Sequence, residues 1–437
     1  SMEKTVGYGI VEADLSDRTT LAVGVSYQKN TPEGVMWGAL PLFYSDGSAT
    51  DYDRSTSTSA DWSYWNTENT QAFVELSHEF GNDWRLVAAY NYEDVVQDSQ
   101  LFYVYGTPDR TTGLGLYAYP SDYSGSYRSD FYDVYVTGAF TLGGRSHELV
   151  FGGNWADAAN AEISWYGNDV GTPIADLGSW TGEYPKPSFD SYSSYSDFEY
   201  RRGSAYATVR WNLRDNIKLI TGLNYTRVTT DGVSYGEAKD TETNKITPFA
   251  GLTVDLNENY SAYASYGEIF SEQGQMDIDN QLVGPITGDS LEAGVKGEWL
   301  DGRLNASAAL FKMNQNNLAE YAGYNPNTGL SYYRGEDASS EGIELTVAGA
   351  LNDIWQVFGG YTHLNITGDG EQDARTYVPR DMLRISTTVL IPQIEGLKLG
   401  AQFSWQGDIE RAQGELDFDG DEIISRQQSY ALLGLMA

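Results

Sequence analysis

The 437-residue sequence contains no cysteine, which excludes a disulfide framework and any thiolate site in this chain. Its three histidines, His78, His147 and His363, are scattered; nothing pairs them as metal ligands, and a nucleophile–His or Asp–His catalytic set has little to build on. Basic residues are scarce: 27 Lys and Arg stand against 62 Asp and Glu, a formal charge of −35. That balance argues against nucleic acid as a partner, because phosphate binding needs clustered cations. No segment approaches the ~18 consecutive apolar residues of a membrane helix. There is no P-loop, no Gly-rich dinucleotide motif after a strand and no HExxH; no signal peptide is visible, so the expectation is that it was removed or that the chain is a fragment. Carboxylates are so plentiful that neighbours in sequence define no acid–base pair.

What is present is aromatic and alternating. Tyrosine reaches 33 residues, tryptophan 11 and glycine 47. The mean hydropathy of −0.44 resembles that of a soluble protein. That inference fails for a transmembrane barrel, in which alternate residues face a polar lumen and the loops are polar too. Leu21, Val23, Val25 and Tyr27 alternate with Ala22, Gly24, Ser26 and Gln28. Leu86, Ala88, Tyr90 and Tyr92 alternate with Val87, Ala89, Asn91 and Glu93, and Ala205, Ala207, Val209 and Trp211 with Tyr206, Thr208 and Arg210. Period two puts successive side chains on opposite faces of a strand.

The connections alternate as well. Short turns such as Ser16-Asp17-Arg18, Arg214-Asp215-Asn216 and Asn257-Glu258-Asn259 separate long stretches rich in Gly, Ser, Tyr and Asp: Lys29 to Thr70, Gln97 to Ser129, Asn168 to Tyr200 and Asn314 to Tyr333. A soluble β-sandwich also alternates, but regular short–long pairing with Tyr and Trp at hairpin ends is the pattern of an outer-membrane barrel. The predicted fold is therefore all-β, a transmembrane antiparallel β-barrel of roughly seventeen strands. The first lies near Tyr8 to Leu15, and the last begins near Gln427. An odd count leaves unpaired edges in lipid, so the expectation is a partial barrel over residues 1–437, with strands missing at both ends.

Several segments carry a resemblance. They are Tyr8 to Leu15 followed by Thr19-Thr20-Leu21, Gly38 to Gly47, Tyr260 to Phe270, Gly284 to Gly288, Leu291 to Glu298, Asp301 to Ser307, Ser340 to Leu345 and Gly360-Tyr361-Thr362. In this order and spacing the chain resembles TonB-dependent siderophore receptors, closest to the ferric-hydroxamate and pyoverdine-type branch. The resemblance implies part of a barrel of about 22 strands with a plugged lumen, the plug domain having no counterpart in this chain. It implies outer-membrane localisation, no enzymatic activity and no resident cofactor, iron being carried as the ferric siderophore. Implied partners are the ferric siderophore, the TonB–ExbB–ExbD energy-transducing complex, and outer-membrane lipid with lipopolysaccharide.

Candidate cargo-binding residues are aromatics of the first two long loops: Trp37, Phe43, Tyr44, Trp62, Trp65, Tyr103 and Tyr105, with Tyr64 beside them. Aromatic faces pack against an organic chelate shell, and Tyr or Trp adds a polar handle. By resemblance, Trp37 and Trp65 sit near the pocket tryptophans of pyoverdine-type receptors; simple loop core is the equal alternative. Strand-end aromatics such as Trp84, Tyr90 and Trp211 read as an interfacial girdle. The run Asp417, Asp419 and Asp421 has ligand-like spacing, but Gly420 falls at position four where an EF-hand needs it at six, so it reads as a solvated acidic loop. The alternatives to siderophore import are a TonB-dependent receptor for cobalamin, another metal chelate or an oligosaccharide, and a passive porin or adhesin.

Overall fold

Alternation along the chain becomes antiparallel pairing. A computed structural model describes residues 2–416, 420 and 422–437; the acidic run Asp417, Asp419 and Asp421 lies outside the described residues. The strands are β1 (Met2–Ser16), β2 (Thr19–Pro32), β3 (Tyr64–Glu79), β4 (Arg85–Gly106), β5 (Leu116–Leu142), β6 (Arg145–Tyr166) and β7 (Tyr192–Arg214). They continue with β8 (Ile217–Ser234), β9 (Glu237–Ala238), β10 (Thr241–Asp255), β11 (Tyr260–Ser271), β12 (Ile286–Trp299), β13 (Leu304–Tyr324) and β14 (Ser331–Ala350). The last are β15 (Trp355–Gly368), β16 (Asp381–Leu390), β17 (Lys398–Gln406), β18 (Ile409–Leu416), β19 (Glu422–Gln427) and β20 (Tyr430–Met436).

Among the described residues, 18 strands form one sheet and β18 pairs with β19 apart from it. Each long strand pairs antiparallel with the next. The two-residue β9 turns back onto β8, which itself pairs with β10, and β17 pairs with β20. Among the described residues no pairing joins β1 to β20.

The registers carry the two faces from strand to strand. One row reads Ala13, Leu21, Leu76, Ala88 and Val134 across β1 to β5; the adjacent row reads Glu12, Ala22, Glu75, Ala89 and Asp133. Farther round, Val254, Ala262, Val295, Ala308, Leu345, Tyr361, Leu383 and Trp405 share a row. The neighbouring row is Thr253, Tyr263, Gly294, Ala309, Glu344, Thr362, Met382 and Gln406. The apolar side is uncovered: Leu310 is 61 % and Leu433 67 % exposed. A continuous apolar belt of this extent is not stable against water, so its solvent is hydrocarbon and the polar rows face inward.

Of the four long stretches expected as loops, Lys29 to Thr70 and Asn168 to Tyr200 are mostly loop, whereas Gln97 to Ser129 and Asn314 to Tyr333 are mostly strand. About 9–11 residues cross a bilayer core, yet β4 has 22 residues, β5 27, β6 22 and β7 23. Of Gln97 to Ser129, only residues 107–115 are unpaired, because Gln97 to Gly106 lie opposite Gly125 to Leu116 in unbroken register. Gly and Asp lower local strand propensity, but pairing with a neighbouring strand supplies backbone hydrogen bonds, and pairing overrides composition.

At the short-turn end, Arg145 Nη1 lies 2.8 Å from Asp215 Oδ1, the Asp215 side chain being 97 % exposed. Solvent screens such a pair. Asp215→Ala is expected to change unfolding stability in detergent by less than about 1 kcal/mol; a larger loss on urea unfolding would show that this contact holds the turn. Nearby, the Asn212 backbone N–H donates to His147 Nδ1 at 3.1 Å, so Nε2 carries the proton and donates to the Leu142 carbonyl at 3.1 Å. With Phe140 and Trp211 packed against it, His147 belongs to an aromatic cluster at the strand ends.

Candidate functional site

The β4–β5 hairpin stands above the belt and sorts its residues by parity. Phe102 pairs with Pro120 and Val104 with Ala118, while Tyr103 pairs with Tyr119 and Tyr105 with Tyr117. One face is therefore apolar and the other is four tyrosines.

The apolar face is the floor of a small core. Phe102, Val104, Leu116 and Ala118 are buried with Ala60, Ile174 and Leu177, and Leu40, Tyr52, Trp62, Trp180 and Tyr184 pack around them. Trp180 stacks on Phe102 at 5.4 Å, and Trp62 meets it edge-on at 6.1 Å. Each indole N–H is satisfied: Trp62 donates to the Tyr184 carbonyl at 2.9 Å and Trp180 to the Ser59 carbonyl at 2.8 Å. The Tyr184 hydroxyl donates to Asp169 at 2.7 Å. Burial first, and then the Asp169 carboxylate, push this phenol above its ordinary range, keeping it a neutral donor. Segments 33–63 and 167–191 are thus clamped to the hairpin by a core of their own.

The tyrosine face carries a contiguous aromatic track. Trp37 lies 5.6 Å from Tyr103 and 6.3 Å from Tyr119. Tyr119 meets Tyr105 at 6.0 Å and Tyr166 at 5.2 Å, and Tyr166 stacks on Tyr192 at 4.4 Å. The Tyr119 and Tyr192 hydroxyls are 3.1 Å apart. Gly38 has φ +85°, and a Cβ there would sit 2.1 Å from the Tyr103 ring; only glycine lets Trp37 close onto the hairpin. Along β4, Tyr103 and Tyr105 share parity with Ala89 and Asn91, so the track lies on the inner face. These rings offer flat apolar area with hydroxyl edges, suited to a partly organic, partly polar molecule.

Trp37, Tyr103 and Tyr105 are brought together. Trp65, opposite Ser99 and donating to Gln97 Oε1 at 3.0 Å, lies on the same face lower down. Trp62 sits on the other side of the hairpin, in the loop core. Phe43 and Tyr44 occupy a turn of segment 33–63: Phe43 bridges Ala49, and the Arg110 guanidinium lies 6.0 Å from the Tyr44 ring. Tyr117, Tyr119, Tyr166 and Tyr192 were not singled out from sequence. The signal was there: Tyr103-x-Tyr105 and Tyr117-x-Tyr119 mirror one another about a Gly-containing turn.

Carboxylates hold the loop backbone. Asp46 accepts from Ser48 Oγ (2.5 Å) and N (3.0 Å), and Asp53 from Ser55 Oγ (2.6 Å) and N (2.8 Å). Asp109 accepts from Thr112 N and Oγ1, both at 2.8 Å. Side-chain hydrogen bonds first for Asp46 and Asp53, and the Thr112 N–H first for Asp109, draw these carboxyls below their ordinary range. Depressed folded-state values mean that the contribution to loop order is present above the unfolded value of about 4 and is lost as pH falls through the lower folded values. Loop order, read by tryptophan fluorescence, is expected to hold from neutral pH down to about pH 4 and to fall below it. A transition near pH 6 would contradict this assignment. Among the described residues no group of three or more His, Cys, Asp or Glu is placed to hold a metal ion.

Residues 7–437 match the family described as TonB-dependent receptor-like β-barrel. The chain belongs to that family. TonB-dependent receptors are outer-membrane transporters rather than enzymes, and the long-loop end of this barrel is extracellular. Among its relatives, the ferripyoverdine receptor of Pseudomonas aeruginosa is 34% identical over 420 residues, spanning 92% of this chain and 50% of the relative. The ferric-pyoverdine BN7/BN8 receptor of Pseudomonas putida is 34% identical over 449 residues, spanning 98% and 53%. The solved structure of the Pseudomonas aeruginosa ferripyoverdine receptor bound to ferripyoverdine superposes with a TM-score of 0.91 at 31% identity, over 99% of this chain and 58% of that one. The chain spans about half the length of the curated relatives it matches.

Proposed function

We propose that residues 1–437 serve as barrel of a receptor that binds a ferric siderophore at its extracellular face and passes it to the periplasm with energy from the TonB–ExbB–ExbD complex. The observation that carries this reading is the unbroken inner-face track from Trp37 through Tyr103, Tyr119 and Tyr166 to Tyr192. Trp37, Trp65, Tyr103 and Tyr105, with Tyr119, Tyr166 and Tyr192, form the contact surface. Trp62 and Phe102 act behind it by holding the loops in place, and Phe43 and Tyr44 shape the rim. Iron is cargo inside its chelate, not a resident cofactor. The outer membrane holds no ATP, so release inward depends on the inner-membrane complex. Outer-membrane lipid and lipopolysaccharide contact the apolar belt and the outer rim.

The relatives' names support the cargo class. The test is radio-iron uptake from single purified siderophores by a host lacking its own receptors and supplied with the full-length protein. Uptake of at least one ferric siderophore, abolished by deletion of TonB, is the expected result. Uptake of cobalamin or an oligosaccharide instead, or steady conductance in planar bilayers without iron uptake, would overturn it.

A further inference from the structure

Above the belt, the outward wall of β13, β14 and β15 changes character rank by rank. Register places Leu310, Ile343 and His363 side by side, then Lys312, Glu341 and Asn365, then Asn314, Ser339 and Thr367. All share the parity of Ala308, Leu345 and Tyr361 in the apolar row, so they face away from the lumen. The upper two ranks border a cleft of about 630 Å³ on that side, within the size range of ligand sites. Asn314 is held in it: its amide N–H donates to Asp289 at 3.2 Å, and its amide oxygen accepts from Ser339 Oγ at 3.0 Å. The side chains of Asn365 and Thr367 have no protein partner among the described residues. Asp337, Asp369 and Glu371 also line the cleft, and Lys312, 3.8 Å from Glu341, is the one cation among the described residues that line it. Farther up, Tyr333 keeps the parity of Ser339 along β14, and Tyr321 pairs with it. Tyr321 lies 6.2 Å from Tyr333 and 5.8 Å from Tyr324; Tyr321 and Tyr324 are 54 % and 69 % exposed. From Ile343 to Tyr333 is about 33 Å along the strand, room for several linked sugars.

We propose that this outward strip binds the core saccharide of an outer-leaflet glycolipid, lipopolysaccharide in this membrane. The strip continues the belt: a glycolipid whose acyl chains lie against Leu310 and Ile343 carries its sugars past the cleft and toward the tyrosines. Sugar hydroxyls both donate and accept, and amide, hydroxyl and carboxylate groups match them. The C–H face of a sugar ring packs on a flat aromatic ring, and the tyrosine hydroxyl adds a polar edge. Four carboxylates against one lysine do not suit bare phosphate, which calls for clustered cations; the sugars are therefore the recognised part. Because the strip faces away from the lumen, its role is independent of the cargo.

The test titrates two glycolipids into the full-length receptor in detergent and reads the retained lipid by native mass spectrometry. One probe is lipopolysaccharide with a complete core; the other is lipid A with the same acyl chains and no core sugars. The complete-core form should be retained about 10-fold more tightly, the scale of two net hydrogen bonds. Asn365→Ala with Thr367→Ala, and separately Tyr321→Ala with Tyr324→Ala, should each cut that preference about 3–10-fold. Retention of lipid A should stay unchanged in both variants, which shows that wall and belt are intact. Equal retention of the two glycolipids by the unaltered receptor, or full preference in both variants, overturns the proposal. A preference that vanishes with EDTA, or at about 1 M salt where the screening length falls to about 3 Å, assigns recognition to phosphates and their counter-cations and overturns it too. Siderophore uptake by both variants should match that of the unaltered receptor; a fall in uptake with lipid retention unchanged would place these residues in the cargo path and overturn the outward site.

Discussion

Phe102→Ala is expected to loosen the extracellular cap by about 3–5 kcal/mol, the range for removing a buried aromatic ring and leaving its cavity. Phe102 is fully buried and touches Trp62, Trp180 and Tyr184 at once, so segments 33–63 and 167–191 lose their common support. The barrel wall should not follow. Its stability resides in backbone pairing around the sheet, and β4 keeps its register to β3 and β5 without that ring. Hydrogen exchange or limited proteolysis should therefore show both segments opening while the unfolding midpoint of the barrel stays within a few degrees. Cargo affinity should fall too, because loops released by the mutation must be ordered again on binding. A cap that stays protected would show that the hairpin holds the loops without its core.

The second large effect is on binding itself. Trp37→Ala and Tyr103→Ala should each weaken ferric-siderophore binding by about 2–4 kcal/mol, roughly 30- to 1,000-fold, the scale of central aromatic anchors. The two rings touch, so the double variant should lose less than the sum. Tyr119→Phe keeps the ring and removes its hydroxyl contacts with Tyr192 and Tyr166, so a loss near 1 kcal/mol is expected. Trp62→Ala supplies the contrast: its cost should appear in loop protection, with affinity following from disorder. If Trp37→Ala and Tyr103→Ala both bind cargo like the unaltered receptor, the track is loop packing and not a binding surface.

Which parts of this were legible in the sequence follows from how far each physical rule reaches. Period-two alternation along Leu21 to Gln28 already separates a hydrocarbon-facing from a lumen-facing side, because side chains on a strand alternate whatever their partners. The strand Tyr260 to Phe270 and the hairpin after Leu291 were readable instead through their resemblance to barrel segments of the family. Lengths were not. Gln97 to Ser129 has the composition of a loop, and only the hairpin register opposite it makes it strand.

The site divides in the same way. That Tyr103 and Tyr105 share a face is a property of β4 alone, settled by their spacing of two. That Trp37 joins them while Trp62 goes to the other side of the hairpin is not written in any local spacing. Segment 33–63 is irregular, parity has no meaning there, and the choice is made by Gly38 leaving room for the Tyr103 ring and by Phe102 offering an apolar floor to Trp62. Sequence alone therefore determined an alternating wall between two solvents. The tertiary structure decided which loop aromatics face the lumen, because in irregular chain a side chain's direction is set by what packs against it.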